Sequence, residues 1–114
     1  MSAEASNWVI ECGADFFKGV RLRQNGEFGP YYDLTDWTFW CQARQVPGGA
    51  IVTEFICTVD ETDLAITLPS YITDTLAPQV VQVDLLAEMP NGVRLRLLET
   101  KARIKAAITV PDPV

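Results

Sequence analysis

Along most of this chain apolar residues recur at every second position, and clusters of Gly, Pro, Asn and Asp interrupt them about every ten residues. No segment sustains a 3.6-residue period, so amphipathic helices are excluded as the main building block. Runs rich in Val, Ile, Thr, Phe and Trp between such breaks form strands, and many short strands in succession form a sandwich or a barrel. The expected fold is all-β: one antiparallel β-sandwich with at most one short helical turn, around residues 69–77.

Individual runs give the register. Trp8 to Cys12 comes first; then Phe16 to Arg23, where Val20 and Leu22 alternate with Arg21 and Arg23 until Asn25-Gly26 breaks the strand. Trp37 to Arg44 places Trp37, Phe39, Cys41 and Ala43 on one face, and Thr38, Trp40, Gln42 and Arg44 on the other. Pro47-Gly48-Gly49 turns the chain into Ala50 to Val59. A three-residue loop there sets Cys41 opposite Phe55 and Phe39 opposite Cys57, so this hairpin is expected at the heart of the core. Leu64, Ile66 and Leu68 alternate in a fifth run. Pro69 to Pro78, bounded by prolines, holds the one expected helical turn. In Val80 to Ala87 the residues Val81, Val83 and Leu85 point inward, and Pro90-Asn91-Gly92 turns the chain so that Glu88 faces Arg94 and Leu85 faces Leu97. Beyond Leu97 the apolar positions switch from odd to even (Ala102, Ile104, Ala106, Ile108, Val110), which requires a bulge or break near Glu99-Thr100.

A length of 114 residues with 48% apolar content supports one domain, 1–114, with 1–6 and 111–114 expected as frayed tails. The net charge of −6 argues against nucleic acid and anionic membrane as partners, because a phosphate binder clusters its Lys and Arg. Here Arg21/Arg23, Arg94/Arg96 and Arg103/Lys105 alternate along strands, as on a solvated sheet face. No apolar run approaches the ~18 residues of a membrane span, and the N-terminus lacks the regions of a signal peptide, so a soluble chain made in a cytosol is expected.

Histidine is absent, which removes the usual general base and the commonest metal ligand. Three cysteines, Cys12, Cys41 and Cys57, have neither CxxC spacing nor histidine partners, and are expected as reduced core residues. Asp60-Glu61-Thr62-Asp63 lacks the alternating frame and distal Glu of a calcium loop and reads as a solvated turn. No phosphate-binding or nucleophile-elbow motif occurs. The chain is therefore expected not to be an enzyme and to need no cofactor or metal. Its candidate surface is aromatic: Phe28, Tyr31, Tyr32 and Trp40. Trp40 faces away from Trp37 and Phe39, where it is either covered by the loop 28–33 or left for a partner.

The succession Asp33-Leu34-Thr35-Asp36-Trp37-Thr38-Phe39-Trp40-Cys41-Gln42-Ala43-Arg44, followed by Leu64-Ala-Ile-Thr-Leu68-Pro69, Asp84-Leu85 and Arg96-Leu97-Leu98-Glu99, resembles a tailed-phage structural family. The family comprises the Ig-like N-terminal domain of phage baseplate upper proteins and related stand-alone virion proteins. The resemblance runs over residues 15–110, with Asp36, Val83 and Thr100 standing where the pattern has Gly, Tyr and Gly. It implies an Ig-like sandwich and a virion structural protein: an adaptor or attachment piece of the tail, baseplate or fibre region, made in the bacterial host cytoplasm. Its partners would be other virion structural proteins, and it would be present in multiple symmetric copies. A capsid or neck decoration protein is an alternative, as is a host-surface or carbohydrate-binding module that uses Tyr31, Tyr32 and Trp40 for stacking. The family contributes no catalytic residues.

Overall fold

The structure, a computed structural model, describes residues 8–24 and 29–107. The expected tails, the Asn25-Gly26 break, Phe28, Ile108 and Val110 lie outside the described residues. In chain order the elements are β1 (Trp8–Glu11), β2 (Phe16–Val20), β3 (Thr38–Arg44), β4 (Ile51–Asp60), β5 (Asp63–Leu68), α1 (Ser70–Thr73), β6 (Gln79–Glu88) and β7 (Arg94–Lys105). The fold is all-β with a minimal helix, as the alternation requires.

The strands described form one sheet in the order β1-β7-β6-β3-β4-β5-β2. The sheet nearly closes on itself, and its two parts, or layers, share β4. Its first half pairs with β3 (Cys41 with Phe55, Ala43 with Thr53), and its second half pairs with β5 (Cys57 with Ile66, Val59 with Leu64). Cys41 meets Phe55 as expected, whereas Phe39 has no partner in β4, because that strand has by then crossed to β5. The sheet is mixed, with β1 running parallel to β7 from Trp8 beside Ala102 to Glu11 beside Lys105. At the seam where the sheet nearly closes, the edge strands β1 and β2 meet through side chains. Trp8 and Phe16 lie 5.5 Å apart, and each packs on Phe55, at 5.9 and 5.6 Å.

The inward set is the one that the two-residue period selects. Cys41, Ala43, Leu64, Ile66, Val81, Leu85 and Ala102 are fully buried, and Trp37, Phe39, Cys57 and Val59 pack around them half-buried. All three cysteines are free. The helical turn closes one end of the core. Buried Thr73 accepts the Gly13 N–H at 3.0 Å and donates to the Ala14 carbonyl at 2.8 Å, and Asp15 accepts the Ser70 N–H at 2.7 Å. The turn between β1 and β2 thus caps a helix that has no side-chain cap of its own.

The change of parity in β7 occurs earlier than the sequence suggests. Leu86 pairs with Arg96 and Leu85 with Leu98, so Leu97 is the extra residue, and Leu97 and Leu98 both reach the core. The tip of the hairpin is as expected: Glu88 pairs with Arg94 and Gly92 has φ +89°. Strand β7 ends at Lys105, which leaves Ala106 exposed.

Candidate binding surface

The outer face of β3, β6 and β7 is a lattice fixed by register. Trp40, Leu86 and Arg96 make one row; Gln42, Asp84 and Glu99 the next; Arg44, Gln82 and Lys101 the third. Bulges flank this lattice on both sides, at Ala43/Arg44 against β4 and at Leu97 in β7. Bulges strengthen local twist and re-aim side chains. Between them, and under the turn at Pro47 and Gly48, runs a groove of about 720 Å³.

Half-buried Trp40 forms the apolar part of the groove together with Leu86. The guanidinium of Arg94 sits 5.6 Å from its ring centre, while Arg94 Nε donates to Glu88 at 2.7 Å. Arg96 lies between Asp84, at 3.3 Å, and Glu99, at 3.8 Å. The 3.3 Å approach is close enough for an ion pair but not aligned as a hydrogen bond, so the covered Asp84 Oδ1 has no hydrogen-bond donor. On the far wall Arg44 donates to the Gly49 carbonyl and, at 3.0 Å, to Gln42, whose amide donates to Glu54 at 2.8 Å. The guanidinium charges of Arg44, Arg94 and Arg96 are offset by Asp84, Glu88 and Glu99.

The other aromatic candidates lie elsewhere. Tyr31 continues the β2 edge as a hairpin, bridged to Arg23. Its hydroxyl accepts from Arg23 at 2.6 Å, and the guanidinium groups of Arg23 and Arg21 sit 4.3 and 5.3 Å from its ring centre. Tyr32 packs on Trp37 at 5.4 Å, and Trp37 stacks on Phe39 at 6.0 Å, so Tyr32 belongs to the inner side of the sheet. Trp40, Tyr31 and Tyr32 therefore occupy three separate places and form no common stacking platform, and Phe28 is outside the described residues.

A second surface appears where part of the inward face is exposed. Phe39, Ala87 and Leu95 are aligned across β3, β6 and β7. Beside them Leu95 is 38% and Val93 46% exposed, although both sit on the side that is buried further along the hairpin. Val93 and Leu95 thus make an exposed apolar strip, with Leu95 in the same row as half-buried Phe39, which stacks on Trp37. The alternation identifies Trp37, Phe39, Val93 and Leu95 as inward, whereas Tyr32 is expected at a surface, and alternation carries no information on where an inward face becomes exposed. Of the arginines read as a solvated face, Arg21 and Arg23 lie at Tyr31, whereas Arg94 lies over the Trp40 ring and Arg96 shares its row. The shared parity of Trp40, Gln42 and Arg44 was the only signal in the sequence for that grouping.

Among the described residues no group of three or more Cys, Asp or Glu side chains is placed to hold a metal ion, and no helix is long and apolar enough to cross a membrane. Compared with known families the chain matches none, and no curated protein matches it.

Proposed function

We propose that this chain is a structural component of a tailed-phage particle, an adaptor or attachment piece of the tail, baseplate or fibre region that docks on neighbouring virion proteins. The observation that carries this is the exposed apolar pair Val93 and Leu95, with Leu95 in the same row as half-buried Phe39, on a face that is buried further along the sheet. Large apolar side chains exposed on an otherwise inward face suit burial against another subunit. Repeated copies around a symmetric particle would turn individually weak contacts into firm attachment.

The backbone at Asp36 supports the resemblance to virion proteins. Its φ of +70° lies in the left-handed region that favours glycine, the residue that the family pattern has there. Asp36 thus holds a backbone conformation that a glycine would adopt without strain. Mass spectrometry and imaging of purified particles test the proposal. The polypeptide is expected in the assembled virion at a stoichiometry matching a symmetry of the particle, and its absence from intact particles would overturn the assignment.

A further inference from the structure

We infer that the groove around Trp40 is a binding site for an uncharged saccharide, separate from the apolar strip and independent of the role in the particle. At about 720 Å³ the groove falls within the ~300–1,000 Å³ range of small-ligand clefts. Three features of its chemistry select the ligand class.

The first is the half-buried indole on a sheet face, fixed by its strand neighbours and not by a flexible loop. The electron-rich face of an aromatic ring takes the weakly positive C–H face of a pyranose, and a rigid ring loses little entropy in doing so. The second is the set of planar hydrogen-bonding groups around the ring. Gln42 and Arg44 are held in a chain running from the Gly49 carbonyl to Glu54, which leaves their remaining donors and acceptors oriented in advance. Asp84 Oδ1 lacks a donor, and Arg96, which covers it, has a side chain 57% exposed and free to move aside for a hydroxyl. Arg94, 64% exposed and paired to Glu88 at the surface, can likewise swing away from the indole.

The third feature is charge. Arg44, Arg94 and Arg96 are offset by Asp84, Glu88 and Glu99, so a polyanion or polycation would meet repulsion as well as attraction, whereas hydroxyl groups can use both signs. The apolar strip has no comparable set of polar groups, and a peptide docking there would leave the groove open.

The test is a titration of the isotopically labelled chain with maltohexaose, cellohexaose and chitohexaose, followed through the indole and side-chain amide resonances. The Trp40 indole and the Gln42 and Gln82 amides are expected to shift with at least one of these sugars, while Trp8 and Trp37 stay in place. Raising the salt to about 1 M should leave the affinity within about twofold, since no ion is exchanged. Trp40→Ala should weaken binding by about tenfold or more, and Trp40→Phe should retain part of it. An unchanged Trp8 resonance in each variant reports an intact fold. Absence of any shift at Trp40 with all three sugars would overturn the assignment. So would shifts that inorganic phosphate reproduces and salt abolishes, which would mark an anion site. Loss of sugar binding in Trp40→Ala with normal incorporation into particles would support the groove as a separate site, and absence of the wild-type chain from particles bears only on the structural role.

Discussion

Asp36 and Glu61 hold left-handed backbone, at φ +70° and +55°, in two turns that meet where the Leu34 N–H donates to the Glu61 carbonyl at 2.7 Å. Such a conformation costs a non-glycine residue roughly 1 kcal/mol, and less for Asp, whose short side chain bonds locally. Asp36→Gly should therefore be neutral or stabilising by up to about 0.5 kcal/mol, and Asp36→Val should destabilise by about 1–2 kcal/mol, as read from denaturant midpoints. The buried thiols supply a second prediction. Desolvation raises Cys57 from an ordinary 9.0 to about 11, and raises the more deeply buried Cys41 further. In the unfolded chain both thiols ionise near the ordinary value; in the folded chain they stay protonated. Stability is then fully present below about pH 9 and is lost as the pH rises towards 11. Urea midpoints should fall across that window, and Cys57→Ala should flatten part of the fall. At about pH 8 alkylation of Cys41 and Cys57 should be slow until denaturant is added.

At the scale of the element, β7 is the strand on which the fold depends most. Its first part presents odd positions to the inner side and its second part presents Ala102 and Ile104, both buried, with Leu97 as the residue that reconciles the two. Deleting Leu97 would leave Arg96 and Leu98 adjacent opposite Leu86 and Leu85, giving a regular ladder in which Ala102 and Ile104 still face inward, whereas inserting one residue after Leu98 would turn Lys101 and Arg103 inward. The insertion variant is expected to be largely unfolded by circular dichroism, whereas the Leu97 deletion should stay folded and Leu97→Val, which keeps the count, should lose only about 1 kcal/mol. The seam is the other exposed point of the architecture. Edge strand β1 is held by four parallel pairs and by Trp8, 3% exposed against Phe16 and Phe55. Trp8→Ala should cost about 3–5 kcal/mol and raise hydrogen exchange in β1 before the rest of the sheet.

For the whole molecule, the notable property is that the inward face of the β6-β7 hairpin becomes surface at Val93 and Leu95. Replacing both by serine removes nothing from the buried core, so the melting temperature should stay within a few degrees of wild type. Self-association, measured by sedimentation, should fall, and so should incorporation into particles if the strip is the docking surface. Unchanged incorporation of the double variant would shift attention to other surfaces, such as the β2 edge, which pairs with β5 on one side only.

Composition, periodicity and turn residues were enough to determine that the chain is a β protein, which side of β3 and β6 faces inward, and the Cys41–Phe55 and Glu88–Arg94 pairings. These properties are local: they follow from side-chain alternation and from the number of residues in a turn. Only the tertiary structure decided that β4 serves both layers, that β1 joins its neighbour in parallel, that the parity change falls at Leu97, and that Trp40 collects Arg44, Arg94 and Arg96 while Tyr31 and Tyr32 go elsewhere. Each of these depends on how strands far apart in the chain are placed beside one another, and the energy that selects the placement comes from burial of the assembled core, which no single segment encodes.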